Sequence, residues 1–127
     1  MTKNNAFGQW SLALLRIVVG IIFAVHGYQK LLVAGGLPGT AAFFAQVGIP
    51  LANWSAVLVA FVEFFGGVFL ILGVVTKWTT LALIIEMLVG LFKVHLKKGF
   101  LVSNGGYEFV LLLLAALLVV YVNGAGK

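Results

Sequence analysis

Four apolar runs dominate this chain, each close to the roughly 20 residues that an α-helix needs to cross a hydrocarbon core. They cover about 9–32, 51–75, 78–96 and 107–122. The stretches between them carry helix-breaking or charged residues: "VAGGLPGTAAFFAQVGIP" after the first, "TKW" after the second, "KKGFLVSNGG" after the third, with "NGAGK" last. No soluble fold has enough interior to hide this much apolar surface. Hydrophobic residues make up 63% and charged residues 9%, against about half and about a quarter in ordinary soluble domains. A membrane barrel would need many short alternating segments rather than four continuous runs. The expected architecture is therefore all-α: one domain over 1–127, an antiparallel four-helix transmembrane bundle with both termini on one side. Residues 40–47 ("TAAFFAQV") lie between Pro38-Gly39 and Gly48-Ile49-Pro50 and predict a short helix in the first connector. It reads as a loop helix or as a lid over a ligand pocket.

Charge narrows the partners. The eight basic residues are scattered and form no stripe interleaved with aromatics, which excludes a nucleic-acid footprint. Lysines beside the runs suit lipid headgroups, so the bilayer is the first partner. Lys3, Lys77 and Lys127 would share one side; Lys30, Lys93, Lys97 and Lys98 the other, and the tighter second cluster favours the cytoplasm. The apolar stretch from Trp10 to Leu32 is too long for a signal-peptide core and is expected to be a retained span. With no cysteine, thiol–disulfide chemistry and thiolate metal sites are excluded.

All three acidic residues, Glu63, Glu86 and Glu108, fall inside the apolar runs, and there is no aspartate. A charge near the bilayer centre costs about 3 kcal/mol on insertion scales, so such groups turn inward and pair. Helical phase at about 100° per residue puts Arg16, Gly20, Phe23, Gly27 and Lys30 on one face of the first run, with His26 at its edge. Glu63 shares a face with Gly66 and Gly67, and Glu86 with Ala82 and Gly90. Small residues let membrane helices approach closely, which points these faces at one interior. By depth, Arg16 lies roughly 10 Å in from the terminal side, Glu86 roughly 12 Å and Glu63 roughly 18 Å. This predicts a buried ion-pair network of Arg16, Glu63 and Glu86. A second polar layer would hold His26, Lys30, Lys93, His95, Asn104 and Glu108. Either layer also has a purely structural reading, in which buried pairs set helix register. His26, deep and able to move protons near neutral pH, is the sharper histidine. His95 falls opposite Glu86 on a continuous helix and reads as a bystander. No metal site is expected: two distant histidines and three glutamates match no ligand spacing.

The segments "LLRIVVGIIFAVHGYQKL", "VEFFGGVFLILG" and "NGGYEFVLLLLAALL", with a connector ending "GIP", resemble the DoxX family of small bacterial membrane proteins. The likeness extends over nearly the whole chain and is least distinctive in the third run. It implies a multi-pass four-helix protein of the bacterial inner membrane. The family is named from a subunit of a membrane thiosulfate:quinone oxidoreductase, and relatives are associated with redox and sulfur metabolism. By motif position, Arg16, His26, Lys30, Glu63, Asn104, Gly106 and Glu108 would be the shared polar set.

Three functions stand as expectations. The first is a quinone-linked redox subunit that needs a soluble or membrane redox partner. Its catalytic candidates are His26, Lys30 and Glu108, and its cofactor pocket would take His26, Lys30, Phe23, Tyr28, Asn104, Tyr107 and Glu108. The second is a non-enzymatic scaffold or assembly factor for a redox enzyme. The third is a small transporter or proton pathway, which the absence of inverted repeats disfavours. Homo-oligomerisation stays open, as do the substrate and electron donor.

Overall fold

A computed structural model describes residues 6–33 and 35–126, which form helices and turns with no strand among the described residues. The α-helices are α1 (Ala6–Leu32), α2 (Gly36–Gln46), α3 (Ala52–Leu72), α4 (Thr76–Gly90) and α5 (Glu108–Asn123). Beyond Gly90, α4 continues through a π turn, Leu91–His95, and a 3₁₀ turn, Leu96–Lys98. A second 3₁₀ turn, Val102–Asn104, precedes α5. Three stretches are long and apolar enough to cross a membrane: Ala6–Leu32, Ala52–Leu72 and Thr76–Lys98. The fourth apolar helix, α5, is shorter, with 16 residues.

The outward surface shows which solvent the fold is built for. On α1, Trp10, Leu14, Val18, Ile21, Val25 and Tyr28 are exposed at helical spacing. On α3 the same is true of Trp54, Leu58, Phe61, Phe65, Phe69 and Leu72. Apolar stripes of this length face lipid, and exposed Trp10, Trp54 and Trp78, each near a helix start, suit the headgroup boundary. Inside, Val19 and Phe23 of α1 meet Leu70 of α3, Leu83 of α4 and Leu113 and Leu117 of α5. A smaller cluster of Ala41, Phe44 and Ala56 seats α2 on α3.

The tightest helix pair is α1 with α3, and glycines make it so. A Cβ on Gly27 would collide with the backbone of Phe64, and one on Gly67 with Gly20 and Ala24. Without a hydrophobic drive between helices in lipid, such close backbone approach is a main source of association. The interhelical turn after α3 closes sharply. Gly73 is left-handed at φ 75°, and its N–H bonds Phe69 O at 2.8 Å. Val75 also has a positive φ of 50°, an outlying conformation for a β-branched residue. This turn shortens the expected second run by three residues and starts the third at Thr76.

Candidate functional site

The α1–α3 contact fixes the polar centre. Lys30 lies one turn beyond Gly27, and Glu63 one turn before Gly67, so the glycine seam brings them together. Lys30 Nζ donates to Glu63 Oε1 at 2.6 Å, with the Glu63 side chain 4% exposed and that of Lys30 26%. The carboxyl of Glu86, from α4, lies against Glu63. No donor among the described residues reaches either Glu86 oxygen, although both are buried. A buried polar atom without a partner costs about 1–3 kcal/mol, and in a native structure it calls for a reason.

The reason suggested by the geometry is a cavity of about 700 Å³. Lys30, Glu63, Glu86 and Ser55 belong to its polar part, and Phe43 and Phe44 of α2 and Pro50 line it as well. Val59 and Val62 of α3 and Ile85, Met87 and Val89 of α4 make the rest of the wall largely apolar. Gly90 also lines it, and a Cβ there would meet nothing within 4 Å. This volume and this mixture of apolar wall with a few convergent polar groups suit a small organic ligand.

His95 reaches the same cavity. Its Nδ1 lies 2.7 Å from the Gly105 carbonyl, which can only accept, so Nδ1 carries the hydrogen. In the neutral ring Nε2 is then left as an acceptor. The expectation that His95 points away from Glu86 assumed a regular helix. The π turn at Leu91–His95 puts an extra residue into that turn and rotates the residues beyond it by about 100°. Nothing in the residue types of Leu91–His95 announces that turn.

Arg16 does not form the expected network with Glu63 and Glu86. It is 4% exposed and caps the end of α3, where its Nη1 donates to the carbonyls of Leu70 and Ile71. Its Nε donates to Ala125 O at 2.6 Å. The last carbonyls of a helix lack intrahelical donors and carry the negative end of its dipole, which gives a cation partners there. Lys30 takes the place expected for Arg16 beside the two glutamates.

Apart from Lys30 and His95, which line the same cavity, the second polar layer is also dispersed. His26 is exposed on α1, with Nδ1 donating to Ile22 O at 2.7 Å and its ring against Phe109. Glu108 Oε2 accepts the Val102 N–H at 2.6 Å, bracing the loop before α5 rather than meeting Lys30. Asn104 is exposed in that loop, and Tyr107 packs edge-on against Phe100. Phe23 lies in the helical core and Tyr28 faces outward. Of the expected pocket residues, only Lys30 lines the cavity.

The profile of the DoxX family matches residues 11–96. The chain belongs to the DoxX family. The matched segment contains the whole cavity lining and ends before α5 and Glu108. A Bacillus subtilis protein named "Putative oxidoreductase CatD" is 34% identical over 100 residues, 79% of this chain and 70% of that one. The Mycobacterium tuberculosis membrane protein Rv3486 is 34% identical over 84 residues, 65% of this chain and 50% of the relative. A Haemophilus influenzae protein is 33% identical over 135 residues, 99% of this chain and 92% of its own length. No solved structure matches the chain.

Proposed function

We propose that this DoxX-family membrane protein is a redox-associated subunit that binds a quinone in the cavity between α2, α3 and α4. It does so as a four-span antiparallel bundle of the bacterial inner membrane and takes electrons from a separate partner protein. The observation that carries this reading is the apolar-walled cavity of about 700 Å³ that ends on Lys30, Glu63 and an unsatisfied Glu86. The oxidoreductase name of the Bacillus subtilis relative supports it. The orphaned Glu86 oxygens and the apolar walls fit a flat ring with polar edges and an apolar tail.

A bound quinone supplies two-electron, two-proton chemistry. The chain's own groups do the rest. Glu63 holds Lys30 so that its remaining N–H donors face the cavity. Glu86 and His95 Nε2 are the atoms at which a proton would be held or passed. Phe43, Phe44 and Pro50 add apolar wall for the ring and tail.

Calorimetric titration of the purified protein in detergent with a short-tailed ubiquinone analogue, in both redox forms, tests the reading. Saturable binding is expected, lost in Gly90→Phe, whose ring would occupy part of the cavity that the ligand needs. If neither form binds, the quinone reading is wrong. If Gly90→Phe binds normally, the site lies elsewhere.

A further inference from the structure

The hydrogen-bonding inventory of the cavity is unbalanced. On the donor side stands Lys30, with one N–H committed to Glu63, while the Ser55 hydroxyl is spent on the Pro50 carbonyl. On the acceptor side stand both Glu86 oxygens, without a donor, and Nε2 of His95, left as acceptor by the Nδ1 contact to Gly105. A proton held between Glu63 and Glu86 is spent between the two carboxyls and still leaves a Glu86 oxygen open. A ligand that complements this cavity must therefore bring hydrogen-bond donors of its own.

Resting on the quinone reading above, we infer that the site is built for the hydroquinone form and disfavours the quinone, with Glu86 as the discriminating group. The two forms share ring, tail and volume and differ at two oxygens. A hydroquinone carries an O–H on each oxygen and can donate one to Glu86 and one to His95 Nε2. A quinone has only carbonyl oxygens, whose lone pairs would face the lone pairs of Glu86 and leave that carboxyl unsatisfied. Lys30 does not discriminate, because its N–H groups can be accepted by a carbonyl or by a hydroxyl oxygen. Sites that hydrogen-bond a substrate hydroxyl reject the analogue that lacks it strongly, because the buried site group is stranded. A tenfold preference for the reduced form raises the two-electron midpoint potential of the bound couple by about 30 mV.

The test is anaerobic titration of the same protein with decylubiquinone and with decylubiquinol. The wild type is expected to bind the quinol at least tenfold more tightly. In Glu86→Gln, whose amide can donate to a carbonyl, the ratio is expected to fall to threefold or less. Equal binding of the two forms, or tighter binding of the quinone, overturns the inference while the quinone reading stands. A quinol preference that persists unchanged in Glu86→Gln removes Glu86 as its source and equally overturns it. Should Glu86→Gln not fold, Glu86→Asp, with the carboxylate withdrawn by one methylene, must weaken quinol binding more than quinone binding. Binding of neither form counts against the quinone reading itself.

Discussion

Lys30 and Arg16 sit on one helix face, yet they do different work, and this separates what single residues contribute. Lys30 faces a nearly buried carboxylate. Removing it strands Glu63, so Lys30→Met is expected to cost about 3 kcal/mol, and adding Glu63→Leu is expected to restore most of it. Thermal melting of the two single variants and the double variant in detergent checks this as a mutant cycle. Arg16 instead ties α1 to the carbonyls at the end of α3 and to Ala125. Lysine lacks its forked donors, so Arg16→Lys should lower the melting midpoint while leaving quinol affinity of the folded protein unchanged. A parallel loss of affinity would connect Arg16 to the cavity after all. The sequence made the special status of these groups legible, because three carboxyls inside apolar runs demand inward partners. It did not say which cation meets which carboxyl. Depth counted along ideal helices favoured Arg16, because that counting treats carboxylates as the partners a cation seeks and leaves out helix-end carbonyls.

The elements show the same pattern. The apolar runs at 9–32, 51–75 and 78–96 correspond to α1, α3 and the stretch from Thr76 to Lys98, since a span's length is written directly in its composition. Local departures from ideal geometry were invisible. The π turn that carries His95 to the cavity has no marker in its residues, and ideal helical phase misplaces His95 for that reason. Deleting Phe92 should take that extra residue out, restore a regular turn and leave His95 facing the cavity. Quinol affinity is expected to stay within threefold of the wild type with helical circular dichroism unchanged, and a tenfold loss would mean that the π turn itself shapes the site. The turn between α3 and α4 gives a second case. Val75 holds a positive φ that costs a β-branched residue about 1–2 kcal/mol. Val75→Gly is expected to raise the melting midpoint, and a lower midpoint would mean that the valine side chain contributes more than its backbone costs.

For the whole molecule, the cavity is the part that stability does not require. The glycine seam of α1 and α3 and the core around Phe23, Leu83 and Leu117 hold the helices together, and none of these residues lines the cavity. Filling the empty space should therefore separate folding from binding. Gly90→Phe replaces a helix-weakening residue and occupies a void, so it is expected to match or exceed the wild-type melting midpoint while abolishing ligand binding. The existence of a cavity was not legible from residue types, because its walls come from α2, α3 and α4 and are composed like lipid-facing surface.

The shortness of α5 has a consequence for the membrane itself. Its 16 residues reach about 24 Å, against a hydrocarbon thickness near 30 Å. As the fourth span of the proposed bundle, it leaves a hydrophobic mismatch of several ångströms on one flank, while α1 at about 40 Å can tilt to fit. The bilayer must pinch beside α5, at a cost of fractions of a kcal/mol per ångström. Reconstituted into phosphatidylcholine bilayers of graded acyl length, the protein should melt highest in short-chain lipid and lose stability steadily as the chains lengthen. By the same reckoning it would partition toward thin patches of membrane, so that bilayer thickness would help decide where it resides.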